Sequence, residues 1–249
     1  MTRPLLPAAL LIALTAAAHA DTALIAVATN FVPVAEALAP GFTAATGHQI
    51  EVTSGATGKL YAQITEAAPF DLLLSADTTT PTRLGAEGLA NPETQFTYAV
   101  GRLALWSADP TLIGPDGFTA LRSDTLRFVA IANPDLAPYG VAARELLQRL
   151  GLWDELQPKI VMGQNIGQTF ALVDSGAAEL GFVALSALTG PDVGGSTWIP
   201  AEILYNPIHQ DAILLTHGAG NPAALAFLDY LKSPEAKALI AASGYAVAP

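Results

Sequence analysis

Short apolar runs alternate along this chain with segments whose apolar residues recur at helical spacing. Residues 24–27 read as a buried strand, and Phe31, Val34, Leu38 and Phe42 then line one face of a helix that Gly47 stops. Residues 50–53 form the next strand, with Leu60, Ile64 and Ala67 on the helix after it. Residues 70–75 are strand-like, and Asp77 is placed to cap a helix running through Leu84 and Glu87 to Gly88. This β-α-β-α order predicts a mostly parallel sheet with helices on both faces.

A longer extended run, 98–106, is suited to carry the chain from one sheet to another, and Pro110, Gly114 and Pro115 punctuate the loop behind it. A second alternating block follows: strand at 128–131, helix lined by Val141, Leu146 and Leu150, strand at 160–161, helix near 168–174, strand at 180–184. A glycine-rich loop spans 190–196, residues 208–216 are extended, and Leu225, Leu228, Leu231, Leu239 and Ile240 mark two closing helices. The pattern predicts an α/β protein of two lobes, each a mostly parallel sheet flanked by helices, joined by two crossover hinge segments. The first lobe is discontinuous, 21–102 with 210–249, and the second is 103–209. A ligand is expected in the crevice at the carboxyl ends of the strands.

Residues 1–20 read as a cleaved secretory signal: Arg3, an apolar stretch over 5–18, then Ala18-His19-Ala20 as the small-x-small site. The apolar stretch is too short for a bilayer span and contains Pro7. No cysteine is present, which removes disulfides, thiolate metal sites and a lipid-anchoring cysteine together. An exported chain without such an anchor fits a periplasm. With 22 acidic against 11 basic residues, the chain is a poor partner for nucleic acid. Any bound anion must be held by local dipoles against the global field.

Two strand-to-helix junctions stand out, Ala28-Thr29-Asn30-Phe31 and Thr53-Ser54-Gly55-Ala56-Thr57-Gly58. Each puts small hydrogen-bonding side chains where helix N–H groups lack partners and the positive dipole end points outward. Asn30 and Thr57 are expected as caps of the helices they open. Either alone reads as a structural cap; the pair reads as a cradle for an anion. In the second block, Pro138 suits a first helical position, so the amide and phenol of Tyr139 are placed toward the crevice, and the amide of Ile166 opens a further helix.

Catalytic constellations are thin. Gly55-Ala56-Thr57-Gly58-Lys59 is no phosphate loop, because its glycines are too close and Leu60 replaces the magnesium-binding hydroxyl. His48, His209 and His217 show no metal-pair spacing, and there is no Gly-x-Ser-x-Gly elbow. Asp71 and Asp77 straddle a strand and are expected to cap or to share a rim, while Tyr98 and Tyr205 read as packing residues. The chain therefore reads as a binder, not an enzyme, with no cofactor.

The mature sequence resembles, over nearly its whole length, the periplasmic molybdate-binding proteins of ABC importers. The resemblance lies in the two junctions above and in Tyr61-Ala62-Gln63-Ile64, Ala68-Pro69-Phe70-Asp71, Ser75-Ala76-Asp77, Phe96-Thr97-Tyr98-Ala99, Ala137-Pro138-Tyr139-Gly140 and Gly181-Phe182-Val183-Ala184. It implies a type II periplasmic binding protein closing over one tetrahedral oxyanion, molybdate or tungstate, and delivering it to a membrane permease. Carried over by position, Thr29, Asn30, Thr57, Tyr139 and Ile166 hold the oxyanion, with no direct cation ligands. Where other members supply a tyrosine, this chain has Ala184, and the resemblance gives the phenol to Tyr139. A shuttling receptor of this kind is expected to be monomeric and not inserted in the membrane. The alternatives are a sulfate or phosphate receptor, or an exported hydrolase built on Asp71, Asp77 and a histidine.

Overall fold

The computed structural model describes residues 20–247, so the signal read at the N-terminus lies, but for Ala20, outside the described residues. The chain runs β1 (Thr22–Ala28), α1 (Val32–Thr46), β2 (Gln49–Gly55), α2 (Thr57–Thr65), β3 (Leu72–Leu74), α3 (Thr79–Ala86) and β4 (Phe96–Gly101). It continues through β5 (Leu103–Ser107), α4 (Gly117–Leu121), β6 (Val129–Ala132), α5 (Pro138–Arg149), α6 (Trp153–Leu156), β7 (Ile160–Gly163), α7 (Ile166–Asp174), β8 (Leu180–Ala184) and β9 (Ser196–Trp198). β10 (Ile208–Leu214), α8 (Pro222–Tyr230) and α9 (Pro234–Ala242) close it.

These strands make two five-stranded sheets, ordered β2-β1-β3-β10-β4 and β7-β6-β8-β5-β9. Within each, the first three strands pair in parallel. The fourth, β10 or β5, runs against both its neighbours. The expected extended run at 98–106 is thus two strands, and the chain leaves the first sheet after Gly101 to enter the second at Leu103. It returns along β10, which belongs to the first sheet.

Both sheets are covered on both faces, which is why their central strands are unbroken apolar runs such as Leu72–Leu74 and Leu180–Ala184. Side chains alternate across β1: Ile25 and Val27 pack with Phe31, Phe42 and Phe227, whereas Ala26 meets Leu60, Ile64 and Leu84. In the second lobe Leu103, Leu105 and Ile131 face the helix α5 side, and Ala104, Trp106 and Ala130 face Val173. Trp106 also stacks on Phe170 with ring centres 4.6 Å apart. Gly47 ends α1 at φ 78°, a left-handed turn that donates its N–H to Thr43 O at 2.8 Å.

The helices that matter for function are α1, α2, α5 and α7, which follow β1, β2, β6 and β7 directly or after one turn. Their N-termini therefore gather at the carboxyl edges of the two parallel cores. Those edges meet: the Gly58 N–H donates to Leu136 O at 3.0 Å across the lobes. A Cβ added at Gly167 would stand 2.8 Å from Thr29 Cγ2. The two lobes are closed upon one another.

Candidate functional site

Between the lobes lies a small, tightly closed cleft. Thr29, Asn30, Thr57, Tyr139 and Ile166 all line it, so the structure brings every one of the proposed ligand residues to one place. None of the side chains around it carries a charge. Asn30, Thr57, Tyr139 and Ile166 are buried.

The donors come from helix starts. Thr57 and Ile166 are the first residues of α2 and α7, and Tyr139 is the second of α5. Main-chain N–H groups at such positions have no acceptor within their helix. Their neighbours are satisfied: Gly58 by Leu136 O, Gly140 by Ala137 O and Gln168 by the Asn165 side chain. Asn165 is the cap of α7, its Oδ1 accepting from the Gln168 N–H at 2.8 Å.

Asn30 and Thr57 are not the side-chain caps they were expected to be. Neither helix start has a side-chain cap, and the capping positions belong to Ala28, Phe31 and Ala56. Thr57 Oγ1 instead accepts from the Ala76 N–H at 3.2 Å. Asn30 Nδ2 donates to Gln210 Oε1 at 2.9 Å and to the Tyr245 hydroxyl at 3.0 Å. Both its hydrogens are thereby used inside the protein.

Thr29 supplies the most telling atom. Its Oγ1 is buried and has no hydrogen-bond partner among the described residues. An unpaired buried hydroxyl costs on the order of 1–3 kcal/mol unless something meets it.

The Tyr139 phenol does not open onto the crevice as expected. It reaches to the crossover, where Gln210 Nε2 donates to it at 3.3 Å and where only a glycine at 101 leaves it room. Burial holds the Tyr139 and Tyr98 phenols well above their ordinary pKa and pushes Tyr245 up to about 12, so all three stay protonated. Tyr98, read as a packing residue, also donates to Ser75 O at 3.1 Å. Tyr205 accepts from the Leu103 N–H at 3.2 Å beside the same crossover. The sequence reading missed Gln210, Tyr245 and Ser186, whose partners lie far away along the chain and leave no local signal.

The enzyme alternative finds no support in this geometry. Asp71 and Asp77 share no rim, since they lie beyond opposite ends of β3. Asp71 is 2.8 Å from His217 Nδ1 and also accepts from the Leu24 N–H and Asn221 Nδ2, a structural clasp remote from the cleft. Asp77 accepts from the Thr80 N–H at the start of α3, and burial raises its carboxyl above the ordinary range. It faces a roomier groove between the lobes together with Asp135, Glu145 and His209. Three carboxylates make that groove hostile to an anion. Among the described residues no cluster of histidine and carboxylate side chains could hold a metal ion, and no helix is long and apolar enough to cross a membrane.

Two closed α/β lobes with uncharged helix starts gathered between them define a solute receptor. The profile of the bacterial extracellular solute-binding proteins matches residues 23–246, and the chain belongs to that family. It is 46% identical over 237 residues to the molybdate-binding protein ModA of Rhodobacter capsulatus, covering 95% of this chain and 93% of that one. It is 45% identical over 234 residues to ModA of Azotobacter vinelandii, covering 93% and 92%. Among solved structures, the periplasmic molybdate-binding protein of Azotobacter vinelandii superposes with a TM-score of 0.87 at 40% identity, over 91% of this chain and all of that one.

Proposed function

We propose that the chain is a periplasmic receptor that closes over molybdate or tungstate and hands it to the membrane permease of an ABC importer. The anion is cargo, not a cofactor. Thr29 and Thr57 donate through their hydroxyls, and Asn30, Thr57, Tyr139 and Ile166 through main-chain N–H groups. The bodies that move are 21–102 with 210–249 against 103–209.

The observation that carries this reading is the buried, partnerless Thr29 hydroxyl in an uncharged cleft ringed by helix starts. Each helix N-terminus acts as roughly half a positive charge, so about four offset a dianion without lysine or arginine. Hydrogen bonds to a charged group contribute about 1.5–3 kcal/mol each, enough for several to sustain tight binding. Molybdate and tungstate only accept at neutral pH, which suits a site made of donors. A protonated phosphate brings a hydrogen that finds no acceptor there, and a smaller sulfate underfills it. The similarity to the two ModA proteins points to the same cargo.

Calorimetry with molybdate, tungstate, sulfate and phosphate tests the proposal. Tight binding of the first two and weak binding of the others is expected. Absence of molybdate and tungstate binding, or equal affinity for all four, overturns it.

A further inference from the structure

The crossover between the lobes holds a buried polar network that a simple hinge does not need. Gln210 lies at its centre, on β10, with no exposed surface. Its Oε1 accepts from Asn30 Nδ2 at 2.9 Å and from the Tyr98 hydroxyl at 3.2 Å, both on the first lobe. Its Nε2 donates at 3.3 Å to the Tyr139 phenol, on α5 of the second. The two ends of one carboxamide thus serve two lobes, and Asn30 and Tyr139 both line the anion cleft.

The chain makes room for this meeting. A Cβ at Gly101 would collide with the Tyr139 phenol and stand 2.6 Å from Gln210 Nε2. Tyr245 adds a second tie through the same asparagine: it donates to Asn30 O at 2.8 Å, accepts from Asn30 Nδ2, and accepts from Ser186 Oγ of the second lobe at 2.9 Å.

We propose that Gln210 is a positioning residue of the receptor: it locks Asn30 and Tyr139, one from each lobe, into a network complete only when the lobes meet, and so sets how long the closed protein keeps its anion. The inference rests on the oxyanion-receptor reading and adds a residue that touches no ligand. Opening separates Gln210 Nε2 from the phenol, and water must replace it. In the closed state the same bond forms away from water, where it is electrostatically stronger. The Tyr139 link therefore acts on release and leaves capture by the open form unaffected, because the open form lacks that link and keeps only the bonds from Gln210 to Asn30 and Tyr98 within the first lobe.

The test compares wild type, Gln210→Leu, Tyr139→Phe and the double variant, measuring molybdate association and release by stopped flow and melting of the ligand-free protein. Losing this hydrogen bond is expected to speed release about tenfold in Tyr139→Phe, with association within about twofold of wild type, and at least as much in Gln210→Leu, which also loses the bonds to Asn30 and Tyr98. The double variant should release no faster than Gln210→Leu by more than about twofold, since Tyr139→Phe breaks only a link that Gln210→Leu has already broken along with the bonds to Asn30 and Tyr98. A release rate unchanged in the single variants, or additive in the double, overturns the proposal, as does a lower melting temperature with no change in release. Should Gln210→Leu fail to fold, Tyr139→Phe decides alone, because it removes one oxygen and keeps the ring and the main-chain donor. Wild-type protein that does not bind molybdate brings down the receptor reading and this inference together. Wild-type binding with unaltered release in the variants brings down this inference only.

Discussion

Thr57 Oγ1 accepts the main-chain N–H of Ala76 at 3.2 Å, a bond that does not use the hydroxyl's own hydrogen. In the proposed receptor that hydrogen is the one given to the anion. Thr57→Ala is expected to weaken molybdate binding on the order of ten- to a hundredfold, the loss of one hydrogen bond to a charged group. Thr57→Ser keeps the hydroxyl and should stay close to wild type. Because Thr57 is not the cap of α2, circular dichroism should show both variants folded. Calorimetry separates the two.

Thr29 gives the opposite sign for stability and binding. Its buried oxygen has no partner among the described residues, so replacing the hydroxyl by a methyl removes a cost from the ligand-free closed form. Thr29→Val should melt no lower than wild type without ligand, while the rise in melting temperature on adding molybdate shrinks. A drop in the ligand-free melting temperature would mean the hydroxyl serves the fold.

Asp77 predicts a pH dependence. Burial raises its carboxyl above the ordinary value, so the folded protein keeps this proton to higher pH than the unfolded chain. The associated stability is full below the unfolded value and is lost as pH rises through the folded one. Asp77→Asn, which preserves an acceptor for the Thr80 N–H, should therefore gain in melting temperature relative to wild type near neutrality. The gain should vanish below about pH 4, where both forms are neutral. Thermal scans across that range check it.

Asp71 tests whether the clasp at the far end of β3 is structural. It is buried and accepts from the Leu24 N–H at 2.8 Å as well as from Asn221 and His217. Asp71→Ala leaves these donors unpaired and should cost about 1–3 kcal/mol of stability in denaturant unfolding. Molybdate affinity of the folded variant should be unchanged.

What could be read from the chain was local. Strand β8 and the stops at Gly47 and Gly88 follow from apolar runs and from glycines with φ of 78° and 75°. Pro138 does open α5. The two lobes were legible because the β-α alternation occurs twice, and Thr29, Asn30 and Thr57 because small polar residues recur after strands, whereas Tyr139 and Ile166 came with the family resemblance. The use each residue makes of its side chain was not legible. Asn30 looks like a cap in sequence, yet its carboxamide is claimed by Gln210 and by Tyr245, which is 215 positions away. Gln210 is a lone polar residue in an apolar strand, and nothing near it in sequence reveals partners on three other elements. Long-range bonds of that sort leave no periodicity.

The contact from Gly58 to Leu136 joins peptide groups, not side chains. Side-chain exchange at 136 leaves it in place, whereas a Cβ at 58 would stand 3.3 Å from Leu136 O and crowd it, and a proline there would take away the hydrogen. Descendants of this gene can therefore exchange hydroxyls and retune what they carry while the fastening that shuts the jaws survives every such revision. This one fastening is therefore independent of the hydroxyls that face the cargo, unlike the tie through Gln210, which shares Asn30 and Tyr139 with the cleft.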